Sequence, residues 1–135
     1  MEEDNRCSLC RRRQAALKRL HKEWSEEALW DAVIDFQHST FFTASGLQFS
    51  YELKIGRDGN YNRELLVDRR KESKTLSWSS VALAFRHAMD MQDQTIHRPK
   101  ALGDIRGISY IYPLLYRFGL IRVPEKSARK MTFGR

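Results

Sequence analysis

Leu47-Gln48-Phe49-Ser50-Tyr51-Glu52-Leu53-Lys54-Ile55 alternates apolar and polar residues without a break. Leu47, Phe49, Tyr51, Leu53 and Ile55 face one way and the polar residues the other, which predicts a half-buried strand. Gly56-Arg57-Asp58-Gly59-Asn60 follows, with glycines that tolerate positive φ and side chains suited to a turn. Glu64 to Arg69 then returns with Leu65 and Val67 inward, so 47–69 is expected to form a long β-hairpin.

A lone hairpin cannot bury its apolar face, so the flanking segments must supply helices. Upstream, Ser25 is a good N-cap, and Glu26 and Glu27 suit the positive end of a helix dipole. Trp24 and Leu29 occupy the positions of a hydrophobic staple, and Leu29, Val33 and Phe36 recur at helical spacing over 25–37. Thr40–Gly46 reads as a loop with Phe41 and Phe42 plugging its core-facing side. Downstream, Thr75 or Ser77 caps a helix running to about 91, with Trp78, Val81, Phe85 and Ala88/Met89 on its apolar face. A loop over 92–103 leads to Asp104, the expected N-cap of a helix striped by Ile105, Ile108, Ile111, Leu115 and Phe118. Pro113 lies inside that stripe and should kink or split the helix. Gly119 suits the position after its end, and Leu120–Val123 reads as a short strand stopped by Pro124.

The expected fold is α+β: a two-layer domain in the order α-β-β-α-α-β, with the hairpin packed on three helices. A single domain is expected over 23–124, preceded by a basic arm or frayed helix over 1–22 and followed by a basic flexible tail over 125–135.

Phe42-Thr43-Ala44-Ser45-Gly46, the hairpin end Val67-Asp68-Arg69, the Lys74-Thr75 helix start, and Lys100-Ala101-Leu102-Gly103-Asp104 before Tyr110-Ile111-Tyr112-Pro113 carry a likeness. Over 41–123, about 60% of the chain, the sequence resembles a group of uncharacterised small basic bacterial proteins associated with phage and mobile elements. That resemblance implies no established activity and points toward an accessory role in a mobile element.

The chain has 135 residues and a formal net charge of +7. The charge is uneven: residues 25–68 carry three Lys/Arg against eight Asp/Glu, and 69–135 carry fourteen against five. The basic half would attract a polyanion and the acidic half would not. There is no apolar run long enough to span a membrane, and Met1–Arg6 leads into Arg11-Arg12-Arg13 rather than an apolar signal core. A cytoplasmic protein without membrane contact is the expectation.

Phosphate contacts are built from cations, hydroxyls and helix N-termini. Arg69, Arg70, Lys71 and Lys74 before a serine-rich helix start, and Arg98 and Lys100 in the next loop, match that chemistry. The two helices joined by this loop resemble a helix-turn-helix in outline, which would place Arg106, Ser109, Tyr110 and Arg117 toward a groove. The long loop, and a hairpin that precedes both helices, depart from that fold. Cys7 and Cys10 form one close pair, but His21 and His38 are too far apart to supply the second pair of a structural zinc site. Glu52-Leu53-Lys54 has the spacing of restriction-like nucleases, without the aspartate expected on a preceding strand. No phosphate loop or nucleophile motif is present.

The expectation is therefore a non-enzymatic nucleic-acid-binding accessory or regulatory protein, with DNA as partner and no metal or cofactor. The binding residues would be Arg69, Arg70, Lys71, Lys74, Arg98, Lys100, Arg106, Tyr110 and Arg117. The alternative is a protein-interaction module, such as a phage or mobile-element inhibitor of a host complex.

Overall fold

The computed structural model describes residues 2–69 and 74–134. The chain divides into two compact units, Met1–Gln37 and His38–Arg135.

The first unit is a helical pair, α1 (Glu2–Glu23) and α2 (Glu26–Asp35). Ser25 caps α2 as expected, its hydroxyl accepting from the Ala28 amide at 3.1 Å. Trp24 takes a left-handed φ of 47° where the chain reverses between the helices. Residues 2–23 form a continuous helix, with Ala16 and Leu20 buried. Arg13 holds the two helices together at the end of α2: its Nε donates to the Asp35 carbonyl at 2.8 Å, and its guanidinium lies 5.1 Å from the centre of the Phe36 ring. A cation at a helix C-terminus satisfies a carbonyl that has no intrahelical donor. Arg19 bonds to Glu23 and Asp31 and tethers the opposite stretch.

The second unit contains a four-stranded antiparallel sheet in the order β1 (Phe41–Phe42), β2 (Gln48–Ile55), β3 (Tyr61–Arg69) and β4 (Lys74–Ser77). The predicted hairpin is β2–β3, paired Phe49↔Arg69, Tyr51↔Val67 and Leu53↔Leu65, with Gly59 at φ 82° in its turn. Phe49, Tyr51, Leu53, Leu65, Val67 and Leu76 are buried on the inner face. α3 (Trp78–Asp90) and α4 (Ile108–Arg117) pack on the sheet and on each other, joined by a 3₁₀ turn at Pro99–Leu102. α5 (Glu125–Phe133) packs against β1. The alternation overruns the core at both ends: Leu47 is 49% exposed and Ile55 67%.

The α+β class and the long hairpin stand, while the element order is longer than the expected α-β-β-α-α-β. The helix expected at 25–37 pairs with α1 in the first unit. Lys74–Ser77 adds a strand before Ser77 caps α3. Leu120–Val123 is not a strand; only an isolated parallel bridge joins Thr95 and Arg122. Residues 125–133 are helical rather than an unanchored tail, because Met131 is buried and Gly134, at φ 81°, ends the helix against the Phe42 ring. α4 begins after Gly107 rather than Asp104, and it continues unbroken through Pro113. Ser109, whose carbonyl loses its donor to the proline, is an exposed residue.

Candidate nucleic-acid interface

Three of the expected binding residues, Lys74, Tyr110 and Arg117, meet at one end of the sheet. Phe41 and Phe49 are paired across β1 and β2 and stack with centroids 5.6 Å apart. Phe49 meets Tyr110 of α4 edge-on at 5.2 Å. The ammonium of Lys74 sits over the Tyr110 ring at 5.8 Å, and the guanidinium of Arg117 sits over Phe41 at 5.4 Å. A row of three packed rings thus runs between two cations. Arg117 also donates to the Thr40 carbonyl at 3.3 Å. Cation–ring contacts of this kind are worth about 0.5–1 kcal/mol each at exposed sites, enough to fix a long side chain without removing its charge.

Gly107 makes this convergence possible. It takes φ 78°, and a Cβ there would lie 2.2 Å from Leu76 Cδ2. The bare backbone lets β4 approach the start of α4, which brings Lys74 to Tyr110. From Tyr110 to Arg117 is about 10 Å along the helix axis.

Tyr110 itself is only 8% exposed. It was expected to reach toward a groove; instead its ring is the seat on which Lys74 rests. Arg106 is exposed immediately before α4. Arg98 and Lys100 are exposed on the 3₁₀ turn, which packs against α3 and α4 and is pinned by a hydrogen bond from His87 Nδ1 to the Leu102 carbonyl. They belong to another part of the helical layer and not to the ring row. Arg69 lies opposite Phe49 in the ladder, its side chain outside the described residues. Arg70 and Lys71 also lie outside them.

The outer sheet face has a different character. Glu52, Glu64, Asp68, Lys54, Ser50, Thr75 and Ser77 occupy it, and Lys54 pairs with Glu64 at 3.7 Å. This places Glu52 and Lys54, the spacing weighed as nuclease-like, on a solvated strand face. Among the described residues no cluster of three His, Cys, Asp or Glu side chains is arranged to hold a metal ion. Cys10, His21 and His38 are exposed, and the Cys7 side chain lies outside the described residues. No described helix is long and apolar enough to cross a membrane.

Three basic residues not singled out by the sequence analysis join the candidate surface. Lys126, Arg129 and Lys130 of α5 line a shallow depression with Glu125. Arg129 bonds to Glu125 at 3.0 Å, both highly exposed. Such surface pairs contribute about 0.2–1 kcal/mol, so a phosphate could displace the carboxylate. α5 reaches α4 through Tyr116 and Thr132, whose hydroxyls are 3.4 Å apart. The signal that could have found α5 is local: Pro124 before a first-turn Glu125, Ala128 and Met131 at i, i+3, and Gly134 as the stop.

The chain matches no protein-family model, no curated protein and no solved structure.

Proposed function

We propose that the chain acts by binding nucleic acid, with DNA as the first candidate, as a non-enzymatic accessory protein. The observation that carries this reading is the partition of charge between the two units. His38–Arg135 holds seventeen Lys/Arg against nine Asp/Glu, whereas Met1–Gln37 holds seven against eight. Within the basic unit, Lys74 and Arg117 are positioned by aromatic faces, and Arg98, Lys100 and Arg106 are exposed on its helical side. Acidic groups dominate the outer sheet face, which favours approach from the helical side alone.

The test is the salt dependence of binding to a labelled DNA duplex. Six phosphate contacts give a slope of about −5 in log K against log salt. The double variant Lys74→Glu/Arg117→Glu should weaken binding and make the slope shallower by about 2. A flat slope for the parent protein, or an unchanged slope for the variant, would remove the electrostatic case.

A second reading rests on a different observation. Ile55 and Tyr61 pair across the hairpin tip and are 67% and 43% exposed, which suits a protein partner. If that surface is the functional one, Ile55→Ser/Tyr61→Ser abolishes capture of a polypeptide and leaves DNA retention unchanged.

A further inference from the structure

α5 carries an unusual combination on its outer side. Lys126, Arg129, Lys130 and Phe133 stand at i, i+3, i+4 and i+7, which places them on one stripe of the helix. Met131, on the opposite side, is buried, and Gly134 seats the helix end against Phe42 of β1. The helix is therefore docked in a fixed rotation, and that rotation holds Phe133 outward. Phe133 is 78% exposed, the highest exposure of any large apolar residue among those described. By contrast, Phe41, Phe49 and Tyr110 of the ring row are all buried and cannot receive a ligand on their faces.

We infer that this stripe is a contact for single-stranded nucleic acid, in which Lys126, Arg129 and Lys130 meet the phosphates and Phe133 stacks on an unpaired base. The inference rests on the nucleic-acid reading above and narrows it. A backbone-only contact needs cations and hydroxyls; an exposed ring within the same stripe adds a group that only a base with an accessible face can use. The sugar–phosphate edge of a duplex offers the ring no apolar partner, because duplex bases are already stacked on each other. An anionic bilayer would also attract the cations. However, an interfacial helix needs an apolar face to bury in the lipid, and here Met131 is committed to the protein interior, leaving one ring. Glu125 lies on the same side and bonds to Arg129, so a phosphate must compete with it for that guanidinium.

The full chain should be titrated, by fluorescence anisotropy, into a labelled thymidine 20-mer, its uridine counterpart, and an abasic 20-mer carrying the same phosphates without bases. The protein should bind the thymidine strand about five- to a hundred-fold more tightly than the abasic strand, the range expected for one stacked base. Phe133→Ala should bind the two equally, with an unchanged salt slope, and Phe133→Trp should restore the discrimination. Lys126→Gln/Arg129→Gln/Lys130→Gln should weaken both complexes alike and make the slope shallower. A uridine strand that behaves like thymidine supports base stacking as the shared chemistry. Equal binding of thymidine and abasic strands by the parent protein overturns the inference while leaving the broader reading intact, as does discrimination that survives in Phe133→Ala. Failure to bind any of these single strands overturns the inference, and the broader reading falls with it only if the labelled duplex is also not bound in a salt-dependent way. Binding to phosphatidylserine vesicles, lost in Phe133→Ala, without binding to oligonucleotides also overturns it.

Discussion

Replacing Gly107 by alanine tests the contact on which the placement of Lys74 depends. Two costs arise at once. The backbone holds φ at 78°, a left-handed value that costs a residue with a Cβ about 1–2 kcal/mol. The new methyl would also lie 2.2 Å from Leu76 Cδ2, and Leu76 is only 2% exposed, so its side chain has little room to move aside. Overpacking of this kind costs about 1–3 kcal/mol. The expected loss is therefore about 2–5 kcal/mol, measured by urea unfolding followed through far-ultraviolet circular dichroism. The double variant Gly107→Ala/Leu76→Ala separates the two costs. Leu76→Ala alone should cost about 2–5 kcal/mol by leaving a cavity. Combined with Gly107→Ala, it removes the overlap, so the pair should cost about 1–3 kcal/mol less than the sum of the single variants. A loss below about 0.5 kcal/mol for Gly107→Ala, or strict additivity in the pair, would refute the close approach of β4 to α4.

Three further outcomes follow from other contacts. Met131→Ala should loosen α5 from β1, costing about 2 kcal/mol and raising amide exchange in 125–133 ahead of the sheet. Tyr112 is buried, its hydroxyl donates to the Ile96 carbonyl, and burial pushes the phenol up to about 12. The folded state keeps this phenol neutral, so stability is full below pH 10 and is lost as the pH climbs from 10 toward about 12. Tyr112→Phe should cost about 1 kcal/mol at neutral pH and flatten that alkaline loss in urea midpoints measured against pH. The hydrogen bond from Arg19 holds the Glu23 carboxyl below its ordinary value of 4.5. Its contribution is present above that value and fades as the pH falls through the lower folded one. Arg19→Gln should bring the Glu23 titration, followed by carbon NMR, back toward 4.5.

The parts of the fold legible in the sequence are those fixed by local chemistry. The strict alternation over 47–55, the glycine-bearing turn and the Ser25 cap each act within a few residues, and each is found where expected. β4 escaped notice because Lys74-Thr75-Leu76-Ser77 offers a single apolar residue, and its pairing with β3 is set by the neighbouring ladder. α5 was hidden by charge: only Met131 is buried, so no wide apolar stripe marks it. The candidate site divides in the same way. The cations of the basic half can be counted in the sequence, but the meeting of Lys74 with Tyr110 and of Arg117 with Phe41 is made by topology. The helix-turn-helix outline places Tyr110 toward a groove; its burial follows from its edge-on contact with Phe49. Phe133 had no core role to announce it, and its register with Lys126, Arg129 and Lys130 becomes meaningful only once Met131 fixes the helix rotation.

The carboxylate-bearing outer surface of the sheet has a consequence for crowding. A copy seated on a polymer by its helices would turn Glu52 and Asp68 toward the surrounding solution. A second strand of the same polymer drifting past would meet repulsion there instead of another foothold. If the chain binds nucleic acid by that helical side, this face of the His38–Arg135 unit adds no bridging contact between strands.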